Sequence, residues 1–164
     1  MTYVYKTMIS PVGALTLVAS GRGLAAILWE NDRPNRVRLG DLIPQDKHPV
    51  LRLAEQQLDA YFAGQRTVFD ISLDMKGTDF QKSVWVALLT IPFGETRSYA
   101  DIARQIGSPR AFRAVGAANG RNPISIITPC HRAVGSDGSL TGFAGGLEAK
   151  RYLLDLENIT GRPQ

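Results

Sequence analysis

Alternation of apolar and polar positions near the start of the chain predicts strands. Thr2 to Ile9, Ala14 to Ser20 and Leu24 to Glu30 each have strand length and composition, and the turns Ser10-Pro11-Val12-Gly13 and Gly21-Arg22-Gly23 separate them. A three-stranded antiparallel meander is expected. Asn31 to Pro49 is polar and proline-bearing and reads as a surface loop. The period then changes: Leu51, Ala54, Leu58 and Phe62 recur at helical spacing, so a helix is expected from Val50 to Ala63, with Gly64 as its stop. Thr67 to Leu73 sets Phe69, Ile71 and Leu73 on one face, the pattern of a half-buried strand. This first half has the build of a small α/β scaffold and lacks the residue types that carry chemistry.

The second half is patterned for helices. Thr78 and Gln81 are spaced as a capping box, and the helix they open should run to about Thr90 before Pro92 and Gly94 end it. Ser98 can cap a short helix from Tyr99 to Ile106, which Gly107 closes. Ser108 and Pro109 suit an N-cap and first helical position, so the next helix is expected from there through about Asn119. Helix, short glycine-bearing turn and helix make a helix-turn-helix. The expected division is an α/β subdomain over 1–77 and a mostly α domain over 78–164. Ala111, Ala114, Gly116, Ala117 and Ala118 give the second helix of the pair a smooth surface, broken by the long side chains of Arg110 and Arg113. Such a surface suits close approach to a nucleic-acid groove, although helical hairpins with this spacing also occur without DNA.

Charge sharpens this picture. Residues 1–79 hold nine Lys/Arg against nine Asp/Glu, whereas 80–164 hold ten against six, so the whole net charge of +4 lies in the second half. Between Arg97 and Arg132, six arginines (97, 104, 110, 113, 121 and 132) face Asp101 alone. A phosphate backbone is the partner such a stripe fits, though a solvated basic face has the same composition. The first ten residues lack the charged head and apolar run of a signal peptide, and no stretch approaches the roughly 20 apolar residues of a membrane span. A cytoplasmic protein without membrane contact is expected. One cysteine forms no internal disulfide, and with only His48 and His131 beside it a structural zinc site is not expected.

That cysteine stands in a marked setting. Asn122-Pro123, the apolar run Ile124 to Ile127, and Thr128-Pro129-Cys130-His131-Arg132 follow the helix pair. Prolines bracket what reads as a short stiff strand, which delivers Cys130 at a rigid end. A thiol is only a few per cent thiolate at neutral pH, so a nucleophilic cysteine needs a base. His131 is the candidate, acting directly or through a water, with a third group to orient its ring.

The residues Arg113-Ala114-Val115-Gly116, Asn119 to Pro123 and Ile127 to Arg132 resemble the active-site signature of the O6-alkylguanine-DNA alkyltransferases. The likeness runs back through Gly94-Glu95 and Ser98-Tyr99, and on through Gly142, Gly145-Gly146-Leu147, Lys150 and Leu153-Leu154. It covers roughly residues 78–158. The first 77 residues match in general build alone, as a ribonuclease-H-like subdomain of sheet and helix.

The resemblance implies a repair protein that needs no cofactor and no metal. It would turn O6-alkylguanine out of duplex DNA, approached through the minor groove, and take the alkyl group irreversibly onto Cys130, acting once as a monomer. His131 would be the base through a bridging water, Glu157 would hold the other ring nitrogen, and Tyr99 would donate a proton or hydrogen bond to the departing guanine. Asn122 would brace the turn before the active-site strand. Arg113 would fill the gap left by the extruded base, with Arg110, Ala114, Ser98, Arg121 and Arg132 as further DNA contacts. Phe143, Ala144, Gly145 and Ala133 would line the substrate pocket. Phe143 and Ala144 stand where a family member carries tyrosine and serine, which removes a hydroxyl contact and leaves the range of alkyl groups open; O4-alkylthymine and cooperativity on DNA are open as well.

Three other readings use the same residues. A damage-recognition protein without chemistry would replace the cysteine, which is present. A helix-turn-helix regulator that senses alkylation would need an effector module, for which 164 residues leave no spare segment. A cysteine hydrolase would need an oxyanion-hole signature that the chain lacks.

Overall fold

In the computed structural model, which describes residues 2–157, the three expected strands form as β1 (Tyr3–Ser10), β2 (Gly13–Ala19) and β3 (Leu24–Trp29). β1 pairs antiparallel with β2 from Val4↔Ala19 to Ser10↔Gly13, and β2 pairs antiparallel with β3. Gly13, at φ +105°, makes the tight turn between the first two. The alternation buries Met8, Leu15, Leu17 and Ile27 on one face, and α1 (Pro49–Phe62) covers that face with Leu51, Ala54, Leu58 and Tyr61. His48 caps α1 through its side chain, with Pro49 in the first turn, so the helix starts one residue earlier than periodicity alone indicates.

Two expectations in this half fail. The polar stretch 31–49 is not all loop: β4 (Leu42–Pro44) pairs parallel with β1, so the sheet is mixed, in the order β3-β2-β1-β4. Three residues are too few to carry a period. Thr67–Leu73 forms no strand. Gln57 captures the backbone of Asp70 with both ends of its amide (2.9 and 2.8 Å), and only Leu73 bridges to Leu24. The alternation of Phe69, Ile71 and Leu73 reports their packing on the core, not ladder pairing.

The second half comprises α2 (Asp79–Leu89), β5 (Arg97–Ser98), α3 (Tyr99–Gln105), α4 (Phe112–Gly120), a 3-10 turn (Cys130–Arg132), β6 (Ala133–Val134) and α5 (Leu147–Leu156). Thr78 and Gln81 close the expected capping box on α2, and Ser98 closes another with Asp101 on α3. α2, α3 and α4 meet around Val84, Trp85, Leu88, Ile102 and Val115, with Trp85 Nε1 donating to the Ala118 carbonyl at 2.9 Å. The helix-turn-helix forms, but its second helix begins at Phe112 and not at Pro109. The Ser108 amide bonds to the Ala103 carbonyl and the Gly107 amide to Arg104, a Schellman closure of α3 with Gly107 at φ +82°. Ser108 thus ends one helix, and its carbonyl accepts Ala111 N in a turn before the next.

Ile124 to Ile127 also forms no regular strand. Ile124 makes one bridge to Ile27, then Thr128 N returns to the Ile124 carbonyl at 3.0 Å and the chain turns through Ile126 at φ +76°. A β-branched residue in the left-handed region costs about 1–3 kcal/mol, which burial offsets here. Ile124, Ile126, Ile127, Ala149 and Leu153 all sit in the core built by the first-half sheet. The segment leading to Cys130 is therefore fastened to that sheet. Among the described residues no helix is long and apolar enough to cross a membrane.

Candidate active site

Cys130 opens the 3-10 turn and is 3% exposed, inside the apolar cluster of α2, α3 and α4 with Tyr99 and Phe143 packed against it. Asn122 fixes the preceding turn from both sides: Nδ2 donates to the Thr128 carbonyl at 2.8 Å, and Oδ1 accepts Ile124 N at 3.1 Å. The resemblance implied a bracing role for Asn122 in this turn. Burial pushes the Cys130 thiol above its ordinary range, opposed by the Asn122 side chain and by the charges of Arg36 and Lys150. At rest the sulfur is a thiol.

Behind it stands a buried charge relay. His131 is fully buried, and its Nε2 lies 2.7 Å from Glu157 Oε2, while Nδ1 has no hydrogen-bond partner in the protein. Burial lowers the imidazole's affinity for a proton and Glu157 raises it, with a net fall, so the ring is neutral at neutral pH. Burial alone would raise the Glu157 carboxyl, but hydrogen bonds from His131 and Arg132 outweigh it and hold the group at about 2. Glu157, just past the end of α5, also receives Tyr61 Oη at 2.6 Å.

A cavity of about 640 Å³ opens beside this centre, lined by Tyr99, Gly116, Ala117, Thr141, Phe143 and Ala144 among others. Tyr99 Oη is bonded to the Thr141 hydroxyl, and burial raises its phenol more than that bond lowers it. The Thr141 carbonyl is held in turn by Lys150 Nζ at 3.3 Å, with Lys150 itself fully buried. Phe143 meets Trp29 of β3 edge to face at 5.3 Å. At Gly145 a Cβ would come within 2.6 Å of the Trp29 ring, so only glycine lets the loop pass. The loop over the cavity is thus propped by the first-half sheet.

The expected DNA contacts divide. Arg110, in the turn before α4, and Arg113 and Ala114, in its first turn, are exposed, with the Arg113 guanidinium over the Phe112 ring at 5.9 Å. Arg121 is exposed beyond the end of α4. Ser98 is spent as the N-cap of α3. Arg132 does not belong with them. Its Nε and Nη2 bind Glu157 at 2.8 and 3.0 Å and its Nη1 binds the Ile91 carbonyl at 2.7 Å, leaving the residue 6% exposed. Ala133 is corrected too: it pairs with Arg97 in the β5–β6 ladder, gives its carbonyl to Lys150, and faces the core instead of the cavity.

Two residues escaped the sequence pattern. Arg36, in the stretch read as loop, is buried, with Nη1 on the Asn122 carbonyl and Nη2 on the Ile27 carbonyl at 2.9 Å, and it pairs with Asp32 at 2.6 Å. Tyr61 lies within the expected helix but was not singled out on its apolar face. An arginine among polar residues and a tyrosine among apolar ones carry no signal of a long-range partner.

Comparison with known proteins places these features. Residues 3–75 match the family described as 6-O-methylguanine DNA methyltransferase, ribonuclease-like domain, and residues 79–159 match its DNA binding domain. A methylated-DNA–protein-cysteine methyltransferase of Mycobacterium bovis is 52% identical over 155 residues, covering 93% of this chain and 91% of its own length. One from Methanosarcina barkeri is 50% identical over 153 residues, covering 93% and 96%. The crystal structure of Mycobacterium tuberculosis OGT in complex with DNA superposes with a TM-score of 0.86 at 49% identity, covering 99% of this chain and 96% of that one. With both of its halves matched in order, the chain belongs to the 6-O-methylguanine DNA methyltransferase family.

Proposed function

We propose that this protein repairs DNA by moving the alkyl group of O6-alkylguanine onto Cys130 Sγ, in the cytoplasm and as a monomer. The observation that carries the reading is a buried Cys130 followed directly by a buried His131 whose Nδ1 is unpartnered and whose Nε2 is anchored to Glu157. The names of its relatives, methylated-DNA–protein-cysteine methyltransferases, support the same chemistry.

The Cys130 proton passes to His131 Nδ1 through a bridging water, and the imidazolium so formed is stabilised by Glu157. The sulfur lone pair attacks the alkyl carbon, the carbon–O6 bond breaks, and its electrons leave with guanine. Tyr99 donates a hydrogen bond or proton to that leaving group. A thioether does not hydrolyse under mild conditions, so each molecule turns over once. Keeping sulfur and imidazole both neutral until substrate arrives protects Cys130 from stray electrophiles.

A guanine inside the stack hides its O6, so the base must leave the duplex. The smooth face of α4 suits the minor groove, and Arg113 fills the gap. The cavity beside Cys130 receives the base, with Phe143 and Ala144 supplying apolar contact. Arg110 and Arg121 hold the phosphate backbone. The experiment is single-turnover transfer from duplexes bearing O6-methylguanine: stoichiometric demethylation by the wild type and none by Cys130→Ser supports the reading, and demethylation by the serine variant would refute it.

A further inference from the structure

We propose that Tyr61, on α1, is a positioning residue for the relay: its phenol shares Glu157 Oε2 with His131 and so limits how strongly that carboxylate holds the imidazole. The proposal rests on the reading of His131 as the base for Cys130. Oε2 accepts Tyr61 Oη at 2.6 Å, His131 Nε2 at 2.7 Å and Arg132 Nη2 at 3.0 Å. Oε1 accepts Arg132 Nε at 2.8 Å and Gly94 N at 3.4 Å. A carboxylate offers about four lone-pair sites, so these five donors saturate it.

Against the ionised Glu157 carboxylate the neutral Tyr61 phenol is the donor. Burial first, then the charge and hydrogen bond of Glu157, push its ionisation far above the ordinary phenol range. The charged and titratable groups around His131 are Lys150 from α5 and Glu157 just past its end, Arg132 and Cys130 from its own turn, and Tyr61 from α1 across the shared oxygen. Phe143 packs against the ring edge-on. Arg132 balances the carboxylate charge, and every further donor on Oε2 draws electron density away from His131. Without the phenol, Glu157 would grip the imidazole harder and favour imidazolium, which cannot take a proton from Cys130.

The competing role is packing alone, since the Tyr61 ring also contacts Phe62, Phe69 and Phe93. The two roles separate when the hydroxyl is removed and the ring kept. The chain has two histidines, so protein labelled with 15N-histidine gives two sets of ring signals, with those of His48 at the start of α1 as internal reference. In Tyr61→Phe the His131 Nε2–H resonance should move downfield at neutral pH, the mark of a stronger bond to Glu157, while His48 stays. Leu58→Ala, which loosens the same helix without touching the hydroxyl, should leave the resonance in place. 3-Fluorotyrosine at position 61 is a stronger donor of nearly the same shape and should move it upfield. An unmoved or upfield signal in Tyr61→Phe overturns the proposal, as does an equal shift in Leu58→Ala. Should Tyr61→Phe fail to fold, an unmoved or downfield signal with fluorotyrosine overturns it instead. A wild type that transfers no alkyl group refutes the proposed reaction separately, because the resonance is read without substrate.

Discussion

The relay behind Cys130 and the outer face of α4 are built in opposite ways. In the relay, Glu157 is 1% exposed and every one of its donors is a residue of this chain, drawn from α1, the turn at Gly94 and the 3-10 turn. On α4, Arg113 is exposed and no ion pair among the described residues holds either it or Arg110. Under the proposed function, the groups that act on bound substrate are fixed before it arrives, so no reorganisation is required at the moment of reaction, and the groups that meet the partner keep their hydrogen-bonding capacity for it. The difference also places stability: the relay contributes to folding and function together, whereas the α4 face can be altered with little effect on folding.

Substitutions should separate the two regions. Cys130→Ser has the largest effect, with transfer lost entirely and duplex binding retained, as read by alkyl transfer and gel shift on the same sample. Glu157→Gln follows. It leaves Arg132 buried without its counter-charge, so urea unfolding at pH 7 should show a loss of about 3–5 kcal/mol together with impaired transfer. The same carboxylate sets an acid limit. Its folded value of about 2 lies below the ordinary 4.5, so its stabilisation is complete above 4.5 and is lost as pH falls from there toward 2. The stability curve should fall steeply over that window, and Glu157→Gln should flatten it.

Arg113→Ala probes the other region. Stability should stay within about 0.5 kcal/mol of wild type, as for exposed positions generally. Transfer from duplex should slow by on the order of tenfold, part of the few-kcal/mol extrusion penalty, with single strands much less affected. Equal slowing on both substrates would remove the extrusion role. Gly145→Ala has the smallest effect on transfer. Its Cβ must displace Trp29 or the loop, costing about 1–3 kcal/mol in a thermal or urea melt and slowing transfer modestly through Phe143 and Ala144.

What was legible in the sequence follows the range of the forces involved. The meander, α1 and the capped starts of α2 and α3 were readable because period, turns and caps act over a few residues. Thr67–Leu73 misled because alternation reports which side is buried, whereas the hydrogen bonds went to Gln57. Ser108-Pro109 misled because one serine met two competing demands and closed α3. At the site, Cys130, His131, Asn122 and Glu157 were named through motif and resemblance, and the fold brings His131 onto Glu157 and Asn122 onto the Thr128 carbonyl. Arg132 was misassigned because positive charge in a basic stripe does not reveal a buried partner 25 residues away. Tyr61 and Arg36 lie even further along the chain from Glu157 and Asn122, at separations of 96 and 86 residues, where only folding shows the contact.

The most direct test of the central claim is intact-protein mass, followed by peptide mapping, after mixing with a duplex that carries one O6-methylguanine. The predicted result is a stoichiometric gain of one methylene unit on the peptide bearing Cys130, with guanine restored in the DNA. Tight binding with unchanged mass would contradict it and would mark the protein as one that recognises the lesion without repairing it.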